Sequence, residues 1–502
     1  MKRILSEIKA AFLRDRLYFV TCAFFLLTVV SSFLGSAVLN FTVPAIGEIF
    51  PFRVFLPITV LLYLIWALQG NDKPWQDSSA IEKWAYGLIC VLIIYGAVSL
   101  LWAENFLFSF KKLFNLCFDV AFFFLLLRLC RKKAVLRAVL AVVLIGFLFL
   151  SILGVYEVFN DGFFNDTYNN FHRAPWFGKY LQPPVVVAAN TNDYCSALVF
   201  LAAVFLAGRA FGLFDKSNRI VKYAPVVIFP ILFFLITAAN SRLNLFAFWI
   251  LLAITVIHDL LAKFCKKRIL ALIAVLLCCI SFCQQYQAVV LPTYNAMMAK
   301  LEAFFDPTDT NPDNSPNNPV IPPNDQDNGS LKDEFFMVDE DGNMVLNDDA
   351  SGGVRVRLLA HAANCFIDSY GLGVGLGNTE VLAAKRSVIP KWAEKEANSI
   401  HCFIARIIAD YGIFVLIPLC AIVFLLLRKI WQIFVAGIKA KDIGAIAKAL
   451  LFLCCCCVFP IVSTAPSDAQ DILAMWLYLS IIILLCNRTS GTNLAKEETS
   501  DA

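Results

Sequence analysis

Residues 394–427 read EKEANSIHCFIARIIADYGIFVLIPLCAIVFLLL. A charged, polar segment passes into a long apolar helix, with His401 at the junction and Arg406 and Asp410 one and two turns further in. An apolar run of this length suffices to cross a hydrocarbon core of about 30 Å, which takes about 20 helical residues. Ionisable groups at and inside the mouth of such a helix are expensive there, and so mark a candidate site.

Similar apolar runs recur along the 502-residue chain, which is 60% hydrophobic and only 16% charged. Its mean hydropathy of +0.72 excludes an ordinary soluble globular domain. Spans are expected at 17–39, 49–69, 84–102, 110–129, 135–158, 185–207, 222–239, 243–261, 269–290, 400–427, 446–464 and 470–486. The fold class is therefore all-α, a polytopic membrane helix bundle of about twelve spans.

Charge sets the expected orientation. Basic residues cluster at the N-terminus (Lys2, Arg3, Lys9, Arg14, Arg16), and again over 128–137, 209–222, 263–268 and 428–448. With twelve spans all five clusters fall on one side, which the positive-inside rule makes cytoplasmic, along with both termini. The first apolar run is too long for a signal-peptide core and has no clear small-residue cleavage site after it, so it reads as a retained helix. The organisation is then a nine-span region (1–290), an extracytoplasmic loop (291–399), three further spans (400–486) and a cytoplasmic tail (487–502).

Within the loop, 305–350 is rich in Asp, Asn and Pro and reads as a disordered acidic insert. An EF-hand at Asp309, Asn311 and Asp313 fails, because neither the glycine nor the closing glutamate follows. Over 351–399 the apolar residues of Val354 to Ile367 take helical spacing behind Ser351-Gly-Gly, and YGLGVGLGN (370–378) ends that helix. Helix before glycines is the wrong order for a dinucleotide or P-loop fingerprint. Nearly all of the seventeen cysteines lie in the spans, which argues against a disulfide scaffold. The run Cys454 to Cys457 turns about 100° per residue, so its thiols diverge instead of converging on a metal.

The candidate site residues gather on the outer side: His172, Arg173 and Lys179, then Arg242, Arg355, Arg357, His361 and His401. Arginines on the face that positive charge avoids suit an anion clamp, since guanidinium offers a planar fork matched to phosphate oxygens. Arg242 carries the strongest signal, in a turn of almost no length between two spans. His401 has the side chain whose ordinary pKa suits proton transfer near neutrality. Arg406 and Asp410, four apart, are expected to form an internal ion pair supporting the helix, with Asp410 as a possible orienter. Arg53, Asp119, Glu157 and Asp193 inside spans fit either a relay or pairing within the bundle. The first outer loop, NFTVPAIGE (40–48), has one carboxylate, Glu48, which disfavours metal-assisted transfer.

Three stretches together resemble the O-antigen ligase and polymerase superfamily of bacterial envelope enzymes. They are PPVVVAANTNDYCSALVFLAAV (183–204), with Asn192 and Asp193 entering a span; FFLITAANSRLNLFAFW (233–249), with Ser-Arg between spans; and NSIHCFIARIIADYGIFVLIP (398–418). The large loop before the last stretch fits as well. Cys402 departs from the pattern, standing where the family usually has Asn after the histidine; Asn398 is the nearest substitute.

The resemblance implies a GT-C-like bundle in the bacterial cytoplasmic membrane and a cofactor-free, metal-independent transfer at its outer face. The donor would be a glycan on a polyprenyl diphosphate such as undecaprenyl diphosphate, and the acceptor a hydroxyl of another glycan or lipid; membrane lipids, and no nucleic acid, complete the expected partners. Arg242 maps onto the family's Ser-Arg arginine, Arg357 (with Arg355 as the register alternative) onto the loop arginine, and His401 onto the family histidine. Arg173 joins the diphosphate clamp, while Asp410, Asn398 and Arg406 support it. A ligase is the leading reading. A polymerase of capsule, teichuronic acid or another surface polymer stands close behind, and a transporter or lipid-linked glycan flippase is the rival from another class.

Overall fold

The computed structural model describes residues 15–35, 41–43, 47–160, 174–176, 179–181, 184–186, 188, 190–214, 219–239, 241–261, 269–279, 336–338, 344–346, 351–386, 388, 400–466 and 472–488. The chain is a helical bundle. In order the helices are α1 (Arg16–Ser32), α2 (Pro51–Trp66), α3 (Ala80–Ser99), α4 (Phe106–Leu129), α5 (Lys133–Phe159), α6 (Thr191–Ala210), α7 (Arg219–Ala238) and α8 (Arg242–Leu261). They continue with α9 (Ile269–Cys279), α10 (Ser351–Asp368), α11 (Asn378–Lys385), α12 (Phe403–Tyr411), α13 (Ile413–Lys439), α14 (Ile443–Val462) and α15 (Leu473–Arg488). Three two-stranded hairpins lie in the connections, one of them (Phe336–Val338 with Met344–Leu346) within the acidic insert.

Every expected span holds a helix. Eight helices among the described residues are long and apolar enough to cross a membrane, and three shorter apolar ones, α1, α9 and α15, join them. The expected span 110–129 corresponds to α4, which carries Lys111, Lys112, Asp119 and Arg128. The chain is a polytopic helical membrane protein.

Polar residues at the helix starts satisfy backbone groups that the apolar sequence leaves open. Asp15 accepts from Tyr18 N at 2.9 Å, Ser79 and Glu82 form a reciprocal capping box, and Asn105, Asn190 and Asp442 cap α4, α6 and α14. The core is centred on α6, buried from Asp193 to Ala210 save the half-buried Ala197 and packed by α5, α7, α8, α14 and α15. Gly154 on α5 admits the Tyr194 ring, whose hydroxyl donates to Leu150 O at 2.9 Å; a Cβ at Gly154 would fall 2.0 Å from that oxygen.

One end of the bundle holds Arg128, Arg131, Arg137, Arg209 and Arg488. Arg128 pairs with Asp72, Arg131 with Glu82 at 2.9 Å, and Arg209 with Asp259 at 2.9 Å. Arg137 donates to Leu213 O and Arg488 to Arg131 O, tying the α4–α5 turn to the ends of α6 and α15. The opposite end carries the ends of α3, α12 and α14 and the starts of α4 and α8.

The apolar stretch 400–427 is not one continuous helix. It breaks at Gly412, between α12 and α13, where φ is +61°. A second segment of backbone occupies the break: Ile413 N donates to Gly371 O at 2.8 Å, Val374 N to Ala409 O at 3.0 Å and Gly375 N to Asp410 O at 2.9 Å. The glycines of 371–377 thus serve close backbone approach, and Gly371, Gly373, Gly375 and Gly377 all have positive φ.

Candidate active site

Ser241 and Arg242 open α8, with Ser241 buried and Arg242 exposed. Ser241 Oγ donates to Asn192 Oδ1 at 2.6 Å, and Asn244, one turn on, donates to Ser241 Oγ at 3.0 Å and to Ser196 Oγ at 3.1 Å. Ser196 Oγ in turn lies 3.4 Å from Val462 O, the last residue of α14. Buried amides and hydroxyls form such chains because each needs a partner once water is excluded.

The chain continues to the histidine. Phe403 N donates to Ser463 O at 3.4 Å, and His401 Nδ1 lies 3.3 Å from Pro466 O. A carbonyl accepts only, so Nδ1 is the donor in this contact. Arg242 and His401 therefore flank one end of α14, joined through a polar seam that crosses α6, α8, α14 and α12.

The α10 helix approaches from the other side. Its buried face (Val354, Leu358, Ala362, Cys365) forms one apolar cluster with Ile400 and Ala409. Because its C-terminal end is bonded to Ala409–Ile413 and the two helices pack side by side, its first turns, with Arg355 and Arg357, lie toward His401. Both arginines are half-buried. Arg173 and Asn398 lie outside the described residues.

The expected Arg406–Asp410 ion pair is replaced by a different arrangement. Arg406 Nη1 reaches Glu380 Oε1 of α11 at 3.3 Å, and Lys112 Nζ of α4 reaches Glu380 Oε2 at 3.3 Å. Asp410 instead accepts from Thr379 Oγ1 at 2.5 Å, Thr379 N at 3.2 Å and Gly377 N at 3.1 Å. Gly377 is the N-cap of α11 and offers no side chain, so Asp410 caps that helix from α12. Asp410 is thus committed to α11 rather than to orienting His401.

His361 is also structural. Its Nε2 donates to Thr379 O at 3.0 Å and lies 3.4 Å from Cys365 Sγ. Burial, with Arg386 nearby, pushes its pKa below the usual histidine range against the opposing effects of the Thr379 carbonyl and Asp368. Of the intramembrane charges, Glu157 accepts from Val185 N at 2.8 Å and Val186 N at 2.7 Å, fixing the approach to α6, and Arg53 donates to Asn115 Oδ1 at 2.8 Å.

The sequence singled out the arginines and His401 as candidates but not Asn244, Ser463, Pro466 or Glu380. The first three are uncharged, and the partners of Glu380 lie far away in sequence. A signal did exist in the polar break STAPSD (463–468) between two spans, opposite the histidine motif.

The O-antigen ligase family model matches residues 226–420, a stretch that contains Arg242, Arg355, Arg357 and His401. The teichuronic acid biosynthesis protein TuaE of Bacillus subtilis (strain 168) is 21% identical over 430 residues, covering 82% of this chain and 75% of its own. The resemblance to the O-antigen ligase and polymerase superfamily therefore holds beyond the three short stretches that first carried it.

Proposed function

We propose that the chain is an O-antigen ligase-like glycosyltransferase of cell-surface polysaccharide biosynthesis, moving a glycan from a polyprenyl diphosphate to an acceptor hydroxyl. The membrane is the bacterial cytoplasmic membrane, with the basic end and both termini inside and the His401 end outside. The observation that carries the reading is the polar seam joining the Ser241-Arg242 turn to His401, with the arginine-bearing turns of α10 directed toward the same place.

In this reading the bond between the anomeric carbon and the diphosphate oxygen breaks, and the electron pair leaves with the diphosphate. Arg242 and Arg357, with Arg355 and Arg173 beside them, hold that anion and stabilise its growing charge. The acceptor oxygen forms the new bond to the anomeric carbon, and His401 Nε2 takes its proton. Meeting at the interface suits a lipid-borne donor, whose diphosphate sits at headgroup depth. No metal ion is needed if guanidinium groups supply the positive charge.

The name of the 21% identical relative attaches to teichuronic acid biosynthesis, which supports a second reading, a polymerase joining repeat units of one kind. One assay separates these outcomes: purified protein in lipid with a polyprenyl-diphosphate-linked glycan and chelator, comparing the native chain with Arg242→Ala and His401→Ala. A glycan on a new acceptor identifies a ligase and a lengthened ladder a polymerase, with both variants inactive. Full transfer by either folded variant overturns the residue roles, and glycan crossing the bilayer without transfer replaces the enzyme with a flippase.

A further inference from the structure

The α10 helix has two apolar faces. At roughly 100° per residue, Val354, Leu358, Ala362 and Cys365 form the face buried on α12. Val356, Leu359, Ala360, Ala363 and Ile367 fall on the opposite face, and all five are exposed. The polar residues Arg357, Asn364 and Asp368 form a narrow stripe along one seam between the faces. An apolar stripe at spacings of three and four residues, turned away from the helix's own core, needs a second apolar environment.

That stripe continues beyond the helix. Tyr370 is 92% exposed and Leu372 53%. Tyr370 is held with φ +52°, a costly conformation for a residue other than glycine, and its ring is directed outward instead of into the adjacent core. Tyr95 OH donates to Leu372 O at 2.7 Å and Trp102 Nε1 to Val374 O at 3.1 Å. These bonds place the tip beside the α3–α4 turn, where Leu101, Trp102, Phe106 and Leu107 are exposed too. The exposed face of α3 (Ile94, Val98) then carries the same surface along a membrane-crossing helix.

From this continuity we infer that α10 and the 367–372 tip lie in the headgroup–acyl boundary of the bilayer, with the Val356–Leu359–Ala363–Ile367–Tyr370 face inserted. The occupant is lipid because the patch borders, through Tyr95 and Trp102, the exposed apolar residues Ile94, Val98, Leu101, Phe106 and Leu107 of a membrane-crossing helix and its turn, with Glu104 and Asn105 as the polar part of that turn, and because Tyr and Trp at its rim are the residues favoured at that depth. Arg357, on the polar seam, stays at the headgroup level with its stem along apolar surface. The loop between the ninth and tenth spans is thereby membrane-bound at this helix and does not stand off in water. This placement does not depend on the transfer chemistry.

The test is photocrosslinking of the full chain in phosphatidylethanolamine–phosphatidylglycerol vesicles, with benzoylphenylalanine introduced singly at Leu359, Ile367 or Tyr370. Ile94 on α3 sets the scale for lipid contact, and Arg386 at the polar end of α11 the scale for water. Intact-mass lipid adducts at the three positions comparable with Ile94, and lost at Arg386, support the placement. Adducts to another copy of the chain would make the face a subunit interface and overturn it. Yields no higher than at Arg386 would put the face in water and overturn it equally.

Discussion

The Asp410 carboxylate accepts the Thr379 hydroxyl at 2.5 Å, together with the backbone N–H groups of Thr379 and Gly377. The penultimate residue of α12 thus caps α11, more than thirty positions earlier in the chain. Asp410→Ala leaves these donors without their acceptor, at about 1–3 kcal/mol for each buried group. Hydrogen exchange over 372–385 is expected to rise, transfer activity to fall with it, and Asp410→Asn, which keeps one oxygen acceptor, to recover part of both. Loss of activity in Asp410→Asn with unchanged exchange would instead give Asp410 a part in the chemistry.

Gly412 provides a sharper steric test. A Cβ there would fall 2.3 Å from Gly371 O and 2.5 Å from Leu372 O, whereas a Cβ at Gly212, with a similar φ of +68°, meets nothing within 4 Å. Gly412 takes φ +61° with ψ −144°, a combination open essentially to glycine alone and costing an alanine about 1–3 kcal/mol, and Gly412→Ala also pushes two backbone segments apart. Thermal unfolding in detergent should therefore show Gly412→Ala well below Gly212→Ala, and protease should cut the 370–377 segment only in the former. Equal stability would mean that the 371–377 docking contributes nothing.

The positions of the spans and the arginine and histidine candidates were legible because hydropathy and charge are local properties. The partner of Arg406 was not. Helical spacing puts Asp410 beside it, but α11 brings in Glu380, and no local pattern announces a partner twenty-six positions away. The break at Gly412 was equally hidden, since Tyr-Gly-Ile reads as helix until another backbone is known to need that space. The seam gave no such signal, because Asn244, Ser196 and Ser463 carry no charge and polar uncharged residues are common inside apolar spans.

His361 makes the α10–α11 unit sensitive to acid. Its folded pKa is depressed, chiefly by burial, so the unfolded chain binds the proton more readily. The contribution is fully present above the unfolded histidine value of about 6.5 and is lost as pH falls toward the lower folded value. Hydrogen exchange in α10 should accelerate on acidification through that window in the native chain. His361→Gln, which retains a donor for the Thr379 carbonyl, should flatten the dependence; an unchanged profile would remove His361 as its source.

The polar seam predicts a division between folding and transfer. Asn244→Ala removes donors that serve Ser241 and Ser196, loosening the Arg242 turn without touching Arg242 itself. If this turn holds the donor diphosphate, KM for the lipid-linked donor should rise more than kcat falls, with global unfolding shifted by about 1–3 kcal/mol. A fall in kcat alone would place the seam on the acceptor side.

Glu380 links Lys112 of α4 to Arg406 of α12, and both Glu380 and Arg406 are buried. Taking away one member of a buried ion pair costs about 3–5 kcal/mol, whereas replacing both with apolar groups of similar volume is often neutral. Glu380→Ala is therefore expected to lower the unfolding midpoint strongly, and Glu380→Met combined with Arg406→Met to restore much of it. Transfer is the decisive second readout. If the pair only fastens α11 to the bundle, activity should return with stability in the double variant. If the double variant is stable but inactive, the charge on Arg406 itself acts on the diphosphate, and the anion clamp extends one turn deeper into α12 than Arg242, Arg357 and His401 define.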